Sequence, residues 1–225
     1  GACGRFAKTV LIPRYAPGRL IMTTKIGILL FDDAEELDFA GPWEVFTMAN
    51  EVSAIAGREK LHDVVLIAEC EAPIHCAKGM RVLPDCTTKD VTRLDVLLVP
   101  GGIGTRREAA NEGLLTWIAD VAKTCSWVTS VCTGALLLTA AGPAKGKRVT
   151  THWAFVDQLR GRAEAAEVLE NIRFVRDDNV LTAAGVSAGI DMALWLLGQL
   201  HSPQFARAVQ RAMEYNPAPP YAADV

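Results

Sequence analysis

The sequence predicts a single α/β domain built on a mainly parallel sheet. Three observations predict it. Short apolar, β-branched runs alternate with longer helical segments from about Met22 to Tyr215, with no repeat and no linker between them. Two runs, Lys25 to Phe31 and Leu94 to Val99, are apolar at nearly every position, as strands covered on both faces are. Residues that carry chemistry fall where strands end, which is where open α/β sheets place their sites.

Composition narrows the class. Of 225 residues half are hydrophobic, so one domain can bury a large core, and the net charge is −3. No basic run is interleaved with aromatics, so a nucleic-acid partner is not expected. No apolar stretch reaches membrane-spanning length, so neither is a membrane. The six cysteines show no CxxC pairing. A large core needs no disulfide framework, which predicts a reducing, cytoplasmic setting. The four histidines, His62, His75, His152 and His201, lack metal-ligand spacing.

Residues 1–21 are basic, contain Pro13 and Pro17 and have no clear period. They read as a leader or flexible extension without signal-peptide layout, and residues 22–225 as the single domain. After the first strand, the acidic segment Asp32 to Asp38 reads as a mostly solvated loop, with Pro42 opening a helix from Trp43 to about Asn50. Asp38 stands apart from this cluster. It lies between Leu37 and Phe39, just before Ala40-Gly41-Pro42, where the loop turns back over the sheet.

His62 to Ala68 is a second strand, and a short β excursion surrounds Gly79 to Leu83. Leu94 to Val99 runs into Pro100-Gly101-Gly102-Ile103-Gly104-Thr105. Glycines there let backbone N–H groups approach a ligand; a bare turn is the alternative. A phosphate loop would want GK[ST] or a full G-x-G-x-x-G, and neither is present. A helix is expected from Arg106 to about Thr124, with Leu114, Ile118 and Val121 on its apolar face.

Trp127 to Val131 is a buried strand, broken sharply at Cys132-Thr133-Gly134 and followed by a helix that ends at Gly142. A cysteine between a core strand and the first helical turn matches the strand–nucleophile–helix elbow. The helix N-terminus favours thiolate, which predicts a thiol pKa below the usual ~8.5. A buried structural cysteine would fit the same place. Val149 to Thr151 is a short strand, so His152 also sits at a strand–helix junction, either as a base or as a structural residue. Arg173 to Arg176 and Val180 to Thr182 form a hairpin around Asp177-Asp178-Asn179, and an apolar helix, Met192 to Leu200, follows. Ser202-Pro203 starts the last helix, cap then proline, which runs to about Tyr215.

Taken together, Leu37-Asp38-Phe39-Ala40-Gly41-Pro42, Val99-Pro100-Gly101-Gly102, Ser130-Val131-Cys132-Thr133-Gly134 and Thr150-Thr151-His152-Trp153 resemble the ThiJ/PfpI superfamily, the class I glutamine-amidotransferase-like proteins. Within it the chain looks most like isocyanide hydratases, and the closing Met213-Glu214-Tyr215-Asn216-Pro217 is similar to that branch. The resemblance covers about Met22 to Tyr221 and implies a flavodoxin-like fold, a homodimer and a small-molecule substrate. It also implies that Cys132 is the nucleophile, Asp38 its acidic partner and Thr133 a donor at the sulfur. Gly101 and Gly102 would supply oxyanion donors, and His152 would be at most accessory.

The chemistry so implied is hydration of an isocyanide to an N-substituted formamide through a thioimidate on Cys132, with no metal or organic cofactor. Asp38 can hold the required proton if burial or the adjacent sulfur raises its pKa. Three rivals remain. The first is the ligand-sensing domain of an AraC-type regulator, which would want a helix-turn-helix pattern that this sequence lacks. The second is another thiol hydrolase or glyoxalase-like enzyme. The third is a redox sensor oxidised at Cys132. Trp43, Ile103 and Trp153 are expected either to line the pocket or to belong to the core.

Overall fold

The computed structural model describes residues 23–217, so the leader expected at 1–21 lies outside the described residues. In chain order the elements are β1 (Thr24–Leu29), α1 (Glu36–Ile55), β2 (His62–Ala68), β3 (Ile74–His75), β4 (Arg81–Val82) and β5 (Cys86–Thr87). Then come β6 (Val96–Val99), α2 (Thr105–Glu108), α3 (Glu112–Ala122), β7 (Trp127–Val131), α4 (Gly134–Ala141) and β8 (Arg148–Val149). The chain continues through α5 (Val156–Gly161), β9 (Glu167–Val168), β10 (Phe174–Asp177), β11 (Val180–Ala183), α6 (Ala188–Leu200) and α7 (Pro203–Ala212).

Seven strands form the main sheet in the order β10-β11-β7-β6-β1-β2-β5. All neighbours are parallel except the β10–β11 hairpin. Helices α1, α6 and α7 pack on one another, and α4 packs against α2 and α3. Every residue of β6 and of β11 is buried, which is why β6 reads as a continuous apolar run. Phe46, Leu94, Leu97, Ile118 and Leu137 are among the largest fully buried side chains. The fold is therefore the mainly parallel α/β sheet that the strand pattern predicts, in the flavodoxin-like form that the family resemblance implies. It brings the carboxyl ends of β1, β6, β7 and β11 to one edge.

Helix α6 begins at Ala188 rather than Met192, and β8 is Arg148–Val149 rather than 149–151; two further elements differ more from the sequence-based expectation. Helix α1 begins at Glu36, not Trp43, and carries Pro42 inside it. A proline there removes one backbone hydrogen bond. Its ring, however, packs at α6, close enough that a Cβ on Gly189 would lie 3.3 Å from Pro42 Cγ, and Glu36 and Asp38 lie favourably in the first turn. The expected helix from Arg106 to Thr124 is two helices. Asn111 interrupts it and caps α3, its Oδ1 accepting from the Leu114 N–H at 3.2 Å. An asparagine side chain competes with the helical backbone and favours such a cap. The cap expected at Ser202 is present, with Oγ accepting from the Phe205 N–H at 3.1 Å.

His62, at the start of β2, ties that strand to α1 and to the end of α6. Its Nδ1 lies 3.0 Å from the Phe46 carbonyl, which can only accept. Nδ1 therefore carries the hydrogen, and Nε2 accepts from His201 Nε2 at 2.8 Å. Burial, with His201 adding to it, lowers the His62 pKa from 6.5 to about 4 against the Phe46 bond. A base depressed on folding contributes stability that is complete above pH 6.5 and lost as pH falls toward 4. The loss across that window is roughly 3 kcal/mol. Urea midpoints measured between pH 7.5 and 4.5 will fall steeply in the wild type and less steeply in His62→Gln. Parallel profiles would refute the assignment.

Candidate active site

The site grows from the end of β7. Cys132 has φ +55°, a strained value for a residue with a side chain. The backbone around it holds it there. Its N–H donates to Ala183 O at 3.1 Å and Ala184 O at 2.9 Å, and its carbonyl accepts from Thr151 Oγ1 at 2.9 Å. The next turn requires glycine: a Cβ on Gly134 would run into Val99 O and come within 2.8 Å of Pro100 O. The β6 end and the elbow are thus pressed together, and Cys132 is buried beneath the loop that follows β6.

Asp38 reaches this point from the first turn of α1, not from a loop. It is fully buried. Its Oδ2 accepts from the Gly101 N–H at 2.9 Å, while Oδ1 is buried without a hydrogen bond of ordinary geometry. Burial, with the Glu35 charge adding to it, raises the carboxyl pKa to about 7. The Gly101 N–H and the Cys132 thiol act the other way. The thiol itself does not follow the sequence-based expectation of a lowered pKa. Burial first, then the Asp38 charge, push Cys132 up to about 12, outweighing the Thr133 donors and the Val186 N–H. The helix end favours thiolate, but removing the sulfur from water next to a carboxylate costs more.

Thr133 is joined to the glycine loop rather than left free. Its Oγ1 accepts from the Gly102 N–H at 3.0 Å and lies 3.1 Å from both Gly102 O and Thr105 Oγ1. The N–H groups of Gly101 and Gly102, expected as oxyanion donors, are therefore used to hold Asp38 and Thr133 in place. Both glycines are required for a close approach: a Cβ on Gly101 would lie 2.5 Å from Thr133 N, and one on Gly102 2.5 Å from Glu35 N.

His152 stands beside the site without joining it. Its Nδ1 accepts from the Ala154 N–H at 3.2 Å, capping the turn Trp153–Phe155, and burial lowers its pKa. The ring backs against Gly185, where a Cβ would collide with it. Trp43, Ile103 and Trp153 are not core residues: they are 39%, 69% and 81% exposed.

The acidic segment is not a solvated loop either. Glu35 pairs with Lys78, Glu36 Oε1 accepts from the Lys78 N–H at 2.7 Å, and Asp32 Oδ1 accepts from the His75 N–H at 2.8 Å. It fastens the β3–β4 hairpin beside Asp38. Sequence reasoning also missed Val186, a β-branched residue at φ +50° whose N–H acts on the Cys132 sulfur. Nothing in its residue type signals that backbone. Thr105 was visible only as the end of the glycine loop.

A flavodoxin-like sheet with a buried cysteine on the strand–helix elbow and a raised carboxyl beside it defines a class of thiol-site α/β proteins. The chain belongs to the DJ-1/PfpI family, whose model matches residues 24–199. It is 38% identical over 200 residues to the isonitrile hydratase of Pseudomonas putida, covering 89% of this chain and 82% of that protein. It is 28% identical to the HTH-type transcriptional regulator GbdR of Pseudomonas aeruginosa over 89% of this chain, which corresponds to 54% of the regulator. A ThiJ/PfpI family protein from Pseudomonas syringae superposes with a TM-score of 0.80 at 29% identity, covering 97% of this chain and 87% of that one.

Proposed function

We propose that the protein is a cysteine-dependent isonitrile hydratase, converting R–NC and water to R–NH–CHO. The observation that carries the reading is the Asp38 carboxyl, pinned through Oδ2 by Gly101 with Oδ1 left open beside Cys132. At neutral pH burial keeps the proton on sulfur, and the Asp38 carboxylate beside it is placed to take that proton only as the sulfur gives up charge to the isonitrile carbon.

As the sulfur attacks the electrophilic isonitrile carbon, its proton passes to Asp38 and then to that carbon. The product is a thioimidate, R–N=CH–S–Cys132. Water adds across the C=N bond, and the tetrahedral adduct breaks its C–S bond. That releases the formamide and returns a proton to sulfur. Thr133 and the Val186 N–H steady charge on sulfur when it leaves. No step calls on a metal or organic cofactor.

The test is proton NMR of the purified protein with phenyl isocyanide. The formyl signal of formanilide should grow with enzyme concentration. Its absence would sink the hydratase reading and favour the ligand-sensing one, which the likeness to GbdR supports.

A reducing cytoplasm suits a site that depends on a free thiol. A homodimer suits the exposed Leu37, Ile103 and Trp153 near the site. Sedimentation equilibrium at micromolar concentration should give twice the chain mass, and a monomer there would exclude the dimer.

A further inference from the structure

Arg106, the second residue of α2, is half-buried beside the glycine loop. Its Nη1 donates to Gly102 O at 3.1 Å and approaches Thr105 Oγ1 at 3.3 Å. Gly102 O also receives Thr133 Oγ1 at 3.1 Å, so a single carbonyl separates the guanidinium from the residue after Cys132. The guanidinium lies over the Phe155 ring, 4.3 Å from its centroid. Phe155 ends the turn that His152 caps, and the two rings stand 5.5 Å apart. Arg106 and Phe155 thus join the Gly101–Gly102 loop to the turn at 152–155.

The neighbouring arginine shows what Arg106 lacks. Arg107 pairs with Glu108 at 2.8 Å and Asp33 at 3.1 Å. Arg106 has no carboxylate within 4.0 Å, and its Nε and Nη2 have no hydrogen-bond partner, among the described residues. A guanidinium partly withdrawn from water gains from a counter-ion. Its planar donor fork matches a carboxylate better than any other side chain does. Stacking on Phe155 fixes the plane of that fork and lowers the entropic cost of using it.

We infer that Arg106 recognises an anionic group on the substrate, and that the protein takes isonitriles whose nitrogen substituent carries a carboxylate. The inference rests on the hydratase reading for its isonitrile. The subsite itself rests only on Arg106 and Phe155. Two contacts of 3.1 Å through Gly102 O keep the guanidinium within about the length of one aryl ring of Thr133 Oγ1, on the residue after Cys132.

The experiment compares 4-isocyanobenzoate with phenyl isocyanide in the wild type, Arg106→Gln and Arg106→Lys. A charge-assisted hydrogen bond corresponds to roughly a 10- to 100-fold preference for the carboxylate substrate in kcat/KM. That ratio collapses in Arg106→Gln, chiefly through KM, and is partly kept in Arg106→Lys. No wild-type preference, or an equal loss on both substrates in Arg106→Gln, overturns the proposal. If neither isonitrile is turned over, the hydratase reading fails on its own. Calorimetric binding of 4-formamidobenzoate and formanilide then decides the subsite. Tighter binding of the carboxylate that Arg106→Gln abolishes upholds it, and equal binding of the two overturns it.

Discussion

Cys132→Ala lowers kcat for formamide formation by at least about 10⁴-fold, the scale on which loss of a nucleophile acts. The reason is chemical. Alanine leaves the strain at φ +55° and the backbone hydrogen bonds that hold the elbow as they are, while removing the one atom that bonds to the isonitrile carbon. The fold tolerates the change. A single buried atom is lost, and the Asp38 charge that opposes the sulfur's ionisation loses its neighbour. A cost of about 1 kcal/mol corresponds to a shift in Tm of ~2–4 °C for a chain of this size. Matched rate assays and thermal melts on the two proteins measure both quantities. Turnover within tenfold of wild type by a folded Cys132→Ala protein would remove Cys132 from the mechanism.

Asp38→Asn has the second largest effect, a loss of about 10²–10⁴-fold in kcat, as for other residues that carry a proton between reacting atoms. Asparagine can still accept the Gly101 N–H through its amide oxygen, so the loop stays in register. It cannot take the proton from sulfur. The pH dependence gives a second readout. Asp38 must be ionised to act, so wild-type kcat/KM rises with pH through about 7. That limb is absent from the residual activity of Asp38→Asn. A variant that keeps both the rate and the limb would show that another group moves the proton.

Much of the fold was legible because burial on both faces leaves a plain mark. β6 is apolar throughout, and β1 from Ile26 on nearly so, since helices cover both sides of the sheet. The Ser202-Pro203 start was legible for a local reason, a side-chain cap and a proline that both act within one turn. The start of α1 was not. Pro42 ordinarily opens a helix, and only its contact beneath α6 makes it acceptable inside one. Asn111 carried a cap signal that the apolar spacing on either side of it obscured.

The sequence by itself determined the alternation of strands and helices, the elbow at Cys132 and the identity of Asp38, because each depends on neighbours in the chain. Tertiary structure decided what those residues can do. It placed Asp38 and Cys132, 94 positions apart, beside each other and away from water, and desolvation then raised both pKa values where the helix end alone would lower the thiol's. It also committed the Gly101 and Gly102 N–H groups to Asp38 and Thr133, turned His152 into a cap, and stacked Arg106 on Phe155. Solvent exclusion and the direction of a hydrogen bond are properties of the packed chain, and no spacing of residues along it encodes them.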